Sequence, residues 1–420
     1  TEEYEWKQVA TSDLSDGGTG MVTENGQNYV YTDTNLSALG TVTGDATLEI
    51  QGTTTVGESI YGGGEESVVG GKTTVTVDGG TIGVQNTGKF GYRWGNVYGG
   101  GKGKIDDETA ELTVRSIDDL DAGLVRGNTN ITINGGTILH NIYGGGAVGS
   151  VGTFERDNTT GMPKACTSGG LATVTINGGT IGHNHSDTGM VYGSSRGWEG
   201  NPNGTGAFAF LNQLAWVNNA TVIIGNATSN AEDKGPTILG SVYGGGENGH
   251  NFENGVVTVN KGTIGNKNAT WDSGNSYGAG CGTDTYTTGE ETTEHHNPMA
   301  GIVRGTTSIT VNGGQVIRSV YGGGAMGSVG TYTYDANGMP TTCADGTGNT
   351  TINLNGGTIG AENSSYGNVF GGPKGDLDET EFSASVGESL VKINPHPTDA
   401  TKNPEIWGSV FGGGESGTVK

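Results

Sequence analysis

The sequence predicts an all-β fold built from stacked three-sided coils, a parallel β-helix. Three observations lead to this prediction. The motif V-Y-G-G-G and its variants, such as I-Y-G-G-G and V-F-G-G-G, recur nine times. The recurrences follow a longer period of four units, because Tyr98 and Tyr277 are 179 residues apart and Tyr143 and Tyr321 are 178 apart. Short runs of alternating apolar and polar residues lie between the glycines. A repeat too small to bury its own apolar face must stack on its copies.

One unit without insertions, residues 130–146, shows the elements of a coil: N-I-T-I-N-G-G-T-I-L-H-N-I-Y-G-G-G. Ile131 and Ile133 point to one side of a strand and Thr132 points to the other. The N-G-G segment makes a corner, T-I restarts a strand, and I-Y leads into a second glycine corner. A coil of roughly 22 to 24 residues has room for three short strands. We expect a right-handed coil with loop insertions.

Stacking these units in register predicts columns of equivalent side chains. The interior column contains Ile133, Ile176, Val259, Val311 and Leu354. The corner column contains Asn134, Asn177, Asn260, Asn312 and Asn355. Asparagines in register can pass amide hydrogen bonds from one coil to the next, as they do in cross-β stacks. We therefore assign these asparagines a structural role.

The aromatic column allows two interpretations. Strand alternation places the rings outside if the preceding valines face the core, and rings 4.8 Å apart could then stack on sugars. The candidate ligand-binding residues are Tyr98, Tyr143, Tyr192, Tyr243 and Tyr321. In the other interpretation, which the pattern favours, the rings stack on one another and support the fold.

Four sets of insertions interrupt the coils, at residues 103–124, at 153–170 and 331–348, at 193–220 and 371–387, and at 282–300. The first contains Asp106, Asp107, Asp118 and Asp119. Calcium takes six to eight oxygen ligands, so these aspartates are the candidate metal ligands. Their spacing matches neither an EF-hand nor the nonapeptide calcium repeat. The favoured interpretation is an acidic solvated loop, with calcium as the one candidate cofactor.

Histidine and cysteine give no predicted metal centre. His295 and His296 are adjacent, so in a strand they point to opposite sides, and no second ligand pair has the spacing of a zinc site. Cys166 and Cys343 occupy matching places in the two super-repeats, too far apart along the stack for a disulfide. A disulfide between Cys281 and Cys343 requires that their loops meet, and we expect free thiols instead.

The repeat pattern also predicts the organisation of the chain. Residues 1–45 break the pattern and are expected to cap the first coil. Residues 46–420 form one solenoid with two four-unit super-repeats, at about 61–242 and 243–410, and the start of a third. We expect the natural protein to continue beyond the last residue.

Composition excludes some function classes. The formal charge is −24, which disfavours nucleic acid as a partner because phosphate binding relies on clustered lysine and arginine. No apolar run approaches the roughly 20 residues of a membrane-spanning helix, so no membrane span is predicted in this chain. The acidity suits a protein that must stay soluble after secretion.

Parallel β-helices also include pectate lyases and polygalacturonase-type hydrolases. Such hydrolases need paired carboxylates at a fixed separation across the scissile bond. The G-H-G and R-I-K motifs of these enzymes are absent from the sequence. We therefore predict that the protein is not an enzyme.

The pattern V-x-I-N-G-G-T-I-G with V-Y-G-G-G resembles the glycine-rich repeats of bacterial secreted and cell-surface adhesin-like β-helix proteins. The resemblance covers roughly residues 45–420. It implies an extracellular or bacterial cell-surface structural protein, a stalk or fibre segment whose loops contact a glycan or a host surface and whose ends can self-associate. The alternatives are a carbohydrate-binding β-helix that uses the aromatic column and a polysaccharide lyase or hydrolase.

Overall fold

The computed structural model describes most of the chain. The described residues are 6–8, 21–24, 27–31, 40–84, 95–104, 120–183, 186, 188–197, 212–228, 233–268, 273–283, 285–286, 295–335, 340–362, 364, 366–376, 382–396 and 399–420.

Three parallel sheets of nine strands each form the body of the protein, and each coil contributes one strand to every sheet. Side A contains Ala46–Ile50, Thr73–Val77, Thr129–Ile133, Leu171–Ile176, Asn219–Ile224, Gly255–Val259, Thr307–Val311, Asn349–Leu354 and Glu388–Ile393. Side B contains Thr55–Val56, Thr81–Ile82, Thr137–Ile138, Thr180–Ile181, Thr237–Ile238, Thr263–Ile264, Gln315–Val316, Thr358–Ile359 and Glu405–Ile406. Side C contains Ile60–Tyr61, Val97–Tyr98, Ile142–Tyr143, Val191–Tyr192, Val242–Tyr243, Ser276–Tyr277, Val320–Tyr321, Val369–Phe370 and Val410–Phe411.

The register between neighbouring coils matches equivalent repeat positions. On side A, Ile131 pairs with Val75 on one side and Val174 on the other. Side C likewise pairs Tyr143 with Tyr98 and Tyr192. The prediction of an all-β parallel β-helix with three short strands per coil is confirmed. The right-handed sense of the coil stays a prediction.

A single apolar core fills the inside of the triangle. Side A alternates buried and partly exposed residues, and its inward positions are buried from the second coil to the eighth. The predicted interior column of Ile133, Ile176, Val259, Val311 and Leu354 is confirmed, since each of these side chains is fully buried. The structure adds Ile224 to this column. Its coil lacks the N-G-G-T corner, so the repeat pattern did not reveal it.

Glycine is required at the two kinds of corner for different reasons. In the N-G-G corners the second glycine adopts a positive φ, 84° at Gly136, which other residues rarely adopt. In the corner after the aromatic residue the reason is close approach. A Cβ built on Gly144 would lie 2.1 Å from the carbonyl oxygen of Gly193 in the next coil. Glycine therefore follows the aromatic residue because two coils approach too closely there for a side chain.

Smaller elements flank the solenoid. Two of the predicted insertions form antiparallel hairpins at equivalent places of the two super-repeats, about residues 153–168 and 331–343. The flanking elements are Trp6–Gln8, Met21–Glu24 and Gln27–Tyr31 in one antiparallel sheet, the hairpins Thr153–Arg156 with Pro163–Ser168, Thr285–Tyr286 with His295–His296 and Tyr332–Tyr334 with Pro340–Cys343, the parallel pairs Trp216–Val217 with His250–Asn251 and Ser385–Val386 with Thr418–Val419, and a 3-10 turn Ala400–Lys402.

Candidate functional site

The nine aromatic residues of side C form one continuous stack. Each ring lies over the ring of the next coil, with centroids 4.7 to 5.0 Å apart and ring planes 4° to 17° from parallel. The spacing equals the distance between hydrogen-bonded strands, so the backbone register itself brings the rings into contact. The members of this aromatic stack are Tyr61, Tyr98, Tyr143, Tyr192, Tyr243, Tyr277, Tyr321, Phe370 and Phe411.

The structure places the candidate ligand-binding tyrosines inside this stack. The exposed fractions of Tyr98, Tyr143, Tyr192, Tyr243 and Tyr321 are between 0% and 6%. Each of these rings has another ring on both faces, so none offers an open face to a sugar. The preceding valines and isoleucine pack in the central core, while the rings form a separate cluster with Ala147. Strand alternation is therefore kept, and the outward rings are buried in a second layer.

A column of polar and small residues runs beside the aromatic stack. It consists of the residue four positions after each ring: Glu65, Lys102, Ala147, Arg196, Glu247, Cys281, Ala325, Lys374 and Glu415. Backbone bridges connect its first four members in order. We call this set the charged column. The repeat motifs do not include this position, but it becomes visible in the sequence when the nine aromatic residues are aligned and the residue four positions further is compared.

At two places the charged column pairs opposite charges of successive coils. Lys102 forms an ion pair with Glu65 in the first two coils. Arg196 Nε lies 2.8 Å from Glu247 Oε2, and these two side chains are only 6% and 14% exposed. Removing one partner of such a pair is costly, because it leaves the other charge buried and uncompensated. The fourth and fifth coils are therefore joined by a buried ion pair.

Two tyrosines connect the aromatic stack to the charged column. The Tyr143 hydroxyl donates to Glu247 Oε2 at 2.8 Å, reaching across two coils. Tyr321 makes the same contact with Glu415 in the second super-repeat. Burial raises the pKa of Tyr98 and Tyr143 well above the ordinary value. These phenols stay protonated, which suits hydrogen-bond donation and does not suit general-base catalysis.

The corner asparagines form a hydrogen-bonded ladder along the stack. Asn177 Nδ2 donates to Asn134 Oδ1 at 2.8 Å, and Asn312 and Asn355 continue the pattern at 2.9 Å each. At the fifth coil the ladder changes, because Gly225 occupies the corner and Asn260 donates to its carbonyl oxygen at 3.1 Å. The asparagine side chains are thus engaged between coils.

The candidate calcium ligands Asp106, Asp107, Asp118 and Asp119 lie outside the described residues. The nearby Asp121 accepts a hydrogen bond from Arg126 at 2.7 Å. Within the described ranges, no group of three or more histidine, cysteine, aspartate or glutamate residues is placed to hold a metal ion. The calcium hypothesis stays a prediction.

Among the residues that the structure describes, the histidines and cysteines form no cluster that could hold a metal ion. The His296 ring stacks on Phe382 with centroids 4.2 Å apart, and burial lowers its pKa to about 4. Cys166, Cys281 and Cys343 are free thiols.

Arg304 donates to the Pro163 carbonyl at 3.2 Å and lies over the Trp216 ring.

Two open cavities border the ends of the stack. One, of about 530 Å³, is lined by Glu58, Tyr61, Gly63, Glu65 and Lys102. The other, of about 550 Å³, lies along side B between the seventh coil and the last. The first cavity is the one that borders the aromatic stack, at its first ring.

Among the described residues no helix is long and apolar enough to cross a membrane.

Comparison with known proteins gives no relative from which a role can be transferred. No protein-family model matches the chain, and neither a curated protein nor a solved structure is similar to it.

Proposed function

We propose that this chain is a noncatalytic structural and adhesion protein of the cell surface or extracellular space, a β-solenoid stalk that presents loops for contact with a surface or a glycan. The observation that supports it most is continuity. The core, the asparagine ladder and the aromatic stack run through successive coils, so nine coils behave as one rod about 38 Å long at the usual strand spacing. A rod of this kind would hold the sites at which it attaches to other molecules a fixed distance apart.

The flanking hairpins supply the contact surfaces in this proposal. They recur at about residues 153–168 and 331–343, one in each super-repeat. Two similar projections on one rigid rod allow two weak contacts to act together, which raises the overall affinity. Loops on a rigid scaffold are where recognition residues usually lie.

A glycan-array screen of the whole chain, with calcium and with chelator, tests this proposal while released oligosaccharides are followed. Binding without release is the expected result. Replacement of residues 157–162 and 335–339 by short glycine-serine turns should weaken retention on a positive surface, whereas replacing either segment alone should have a smaller effect. Release of oligosaccharides would contradict the noncatalytic proposal and favour a lyase or hydrolase.

A further inference from the structure

Two arginines beside the first flanking hairpin have no acidic partner. Arg156 lies in the hairpin strand Thr153–Arg156, and Arg304 lies in the sixth coil, just before the side A strand Thr307–Val311. Within the described residues neither guanidinium group forms an ion pair, although the formal charge of the protein is −24. Both arginine side chains are partly exposed. An acidic protein thus leaves two cations uncompensated at one place.

The two guanidinium groups flank one aromatic cluster. Arg304 Cζ lies 4.5 Å from the centre of the Trp216 ring and 5.7 Å from the centre of the Phe252 ring. The rings of Phe252 and Phe154 have centroids 6.0 Å apart, and Arg156 Cζ lies 5.9 Å from the Phe154 ring centre. Both phenylalanines are partly exposed. The surface therefore combines two phenyl rings with a cation beside each.

Backbone carbonyl oxygens hold both guanidinium groups in place. Arg156 Nη1 donates to the carbonyl oxygens of Gly161 at 2.8 Å and Gln213 at 2.7 Å. Arg304 Nη1 donates to the Pro163 carbonyl oxygen at 3.2 Å, and Pro163 is the cross-strand partner of Arg156. A guanidinium group has five N–H donors. In the part of the chain that the structure describes, Nε and Nη2 of both arginines have no protein acceptor, so these donors remain for a ligand.

The equivalent arginine of the first super-repeat has the carboxylate that Arg304 lacks. Arg126 and Arg304 are 178 residues apart, which is the spacing of the super-repeat. Arg126 pairs with Asp121 at 2.7 Å, whereas the residue five positions before Arg304 is Met299. The backbone turn is the same, because the amide three residues later donates to the carbonyl oxygen of Asp121 at 3.0 Å and of Met299 at 3.2 Å. Arg304 therefore lies where arginine pairs with a carboxylate in the first super-repeat, but its own turn supplies none.

The surroundings compensate the two charges only weakly. Burial lowers the pKa of Arg156 to about 10, and the charge that opposes this shift belongs to Asp121, which already pairs with Arg126. Burial also lowers the pKa of Arg304, opposed by the phenol of Tyr334. Both arginines stay protonated at neutral pH. An anionic ligand would supply the charge that the protein does not.

We propose that this surface binds an acidic glycan through one hexuronate unit. The sugar carboxylate pairs with Arg304 in the way that Asp121 pairs with the equivalent arginine of the first super-repeat. Arg156 donates to sugar oxygens, and the apolar C–H face of the pyranose packs on Phe154 and Phe252. This inference names the class of glycan for the hairpin contact in the proposed function and rests on that function.

Charge and shape favour a hexuronate over an acidic peptide. The net charge of −24 repels a ligand that carries several negative charges. An acidic peptide presents consecutive carboxylates, whereas a hexuronate carries one carboxylate on a compact ring with an apolar face. The two phenyl rings match that face, and a small inorganic anion would leave them without a contact.

Calorimetry and saturation-transfer NMR on the whole chain test the site. The probes are methyl glucuronopyranoside and methyl galacturonopyranoside, each compared with its neutral parent, methyl glucopyranoside or methyl galactopyranoside. At least one uronoside should bind about tenfold more tightly than its neutral parent, because its carboxylate adds a charge-assisted pair with arginine. Added salt should weaken this binding. Equal binding of uronosides and neutral parents, or no binding of any uronoside, would overturn the inference.

Substitution of the two equivalent arginines gives a matched comparison. Arg304→Gln should weaken uronoside binding about tenfold and leave binding of the neutral parent unchanged. Arg304→Lys keeps the charge but not the planar fork, so it should weaken binding less. Arg126→Gln is the control, since Arg126 already has its carboxylate, and this variant should bind as the wild type does. Equal uronoside binding by Arg304→Gln and the wild type would contradict the site.

Met299→Asp tests the assigned position of the carboxylate. It places in the second super-repeat the group that Asp121 supplies in the first, so Arg304 should pair internally and the affinity for uronosides should fall about tenfold. Urea denaturation, with an unfolding midpoint at or above that of the wild type, separates this loss from unfolding. Unchanged uronoside binding by the folded variant would show that the ligand carboxylate does not lie there.

The inference and the proposed function fail in different ways. If the chain binds arrayed glycans without preference for uronates and Arg304→Gln binds them equally well, the inference is wrong and adhesion through the hairpins stands. If the chain releases oligosaccharides from a polyuronate in an Arg304-dependent manner, the site stands and the noncatalytic function is wrong. Tighter binding of a tetraglutamate peptide than of any uronoside would overturn the choice of a glycan.

Discussion

The seventh and ninth coils carry nearly the same sequence at residues 320–324 and 410–414, V-Y-G-G-G and V-F-G-G-G, in very different surroundings. Val320 and Tyr321 are 0% and 4% exposed, whereas Val410 and Phe411 are 42% and 44% exposed. The eighth coil covers the seventh, whereas within residues 1–420 no described strand pairs with the outer edge of the ninth coil on sides A, B and C. A residue of this solenoid stabilises the fold mainly through its contacts with the adjacent coil. The same substitution should therefore change the free energy of unfolding by different amounts in the two coils.

The largest expected difference concerns the corner glycine. A Cβ at Gly322 would lie 2.0 Å from the Gly371 carbonyl oxygen, whereas a Cβ at Gly412 meets no atom within 4 Å. Gly322→Ala must separate two coils, and we expect it to lower the free energy of unfolding by about 4 kcal/mol. Gly412→Ala should change it by less than about 0.5 kcal/mol. Urea denaturation followed by circular dichroism measures both, and equal midpoints would refute the close-approach explanation.

The next largest difference concerns ion pairs. Arg196→Met leaves the Glu247 carboxylate buried without its cation, and we expect a loss of about 3 kcal/mol. The control is Lys402→Met in the last coil, where the pair with Asp399 spans 3.3 Å and the lysine is 66% exposed. Lys402→Met should lower the free energy of unfolding by less than about 0.5 kcal/mol. If the two variants unfold at the same urea concentration, the interior pair has no special role.

A buried histidine sharpens the comparison through pH. His250 lies in the fifth coil, 2% exposed, and burial lowers its pKa to about 3 while its Nδ1 contacts the Met299 carbonyl oxygen at 2.8 Å. Between pH 6.5 and pH 3 the unfolded chain binds a proton that the folded protein does not bind. Stability should therefore fall as the pH drops below 6.5 and be constant, for this group, above it.

The size of this effect is measurable. From pH 7 to pH 5 His250 alone should cost about 2 kcal/mol of stability. His250→Asn removes the titrating ring, so its stability loss over the same range should be smaller by that amount. Thermal unfolding at the two pH values measures this, and identical losses in wild type and variant would show that His250 does not remain neutral.

The smallest difference concerns the asparagine ladder. Asn312 donates to Asn260 and accepts from Asn355, each at 2.9 Å, whereas Asn394 in the last coil donates to Asn355 at 2.8 Å. Asn312→Ala should cost about 1 kcal/mol and Asn394→Ala about half of that, since these bonds are near the surface. Chemical denaturation of both variants provides the test. A larger cost for Asn394→Ala would exclude a ladder that works by hydrogen bonds between coils.

Most of the fold could be predicted from the sequence because a solenoid repeats one local pattern. The interior column and the three strands per coil follow directly from alternation and corner glycines. The coil at Asn219–Ile224 escaped recognition because Gly225 replaces the corner asparagine and the next strand begins only at Thr237. A prediction from the local sequence pattern fails where a coil keeps its position in the stack but lacks the N-G-G corner sequence.

The site was harder to predict for a physical reason. Period-two alternation correctly separates the rings from the central core, but it cannot show that a second layer buries them. That layer depends on contacts between coils, such as those of Tyr143 with Glu247, 104 residues away. The lower burial of Tyr61 is likewise a property of its place in the stack, since its local sequence repeats that of buried tyrosines.

The charged column also bears on how the chain finds its fold. Near-identical coils create an ambiguity during folding, because a strand can pair with the wrong neighbour at little cost in backbone hydrogen bonds. If the fifth coil were skipped, Arg196 would lie beside Cys281 instead of Glu247 and would be buried without a carboxylate. The second super-repeat places Lys374 and Glu415 at the corresponding positions. The ion pairs between coils therefore favour the correct order of the coils, because a compact misthreaded chain would bury a charge without its partner.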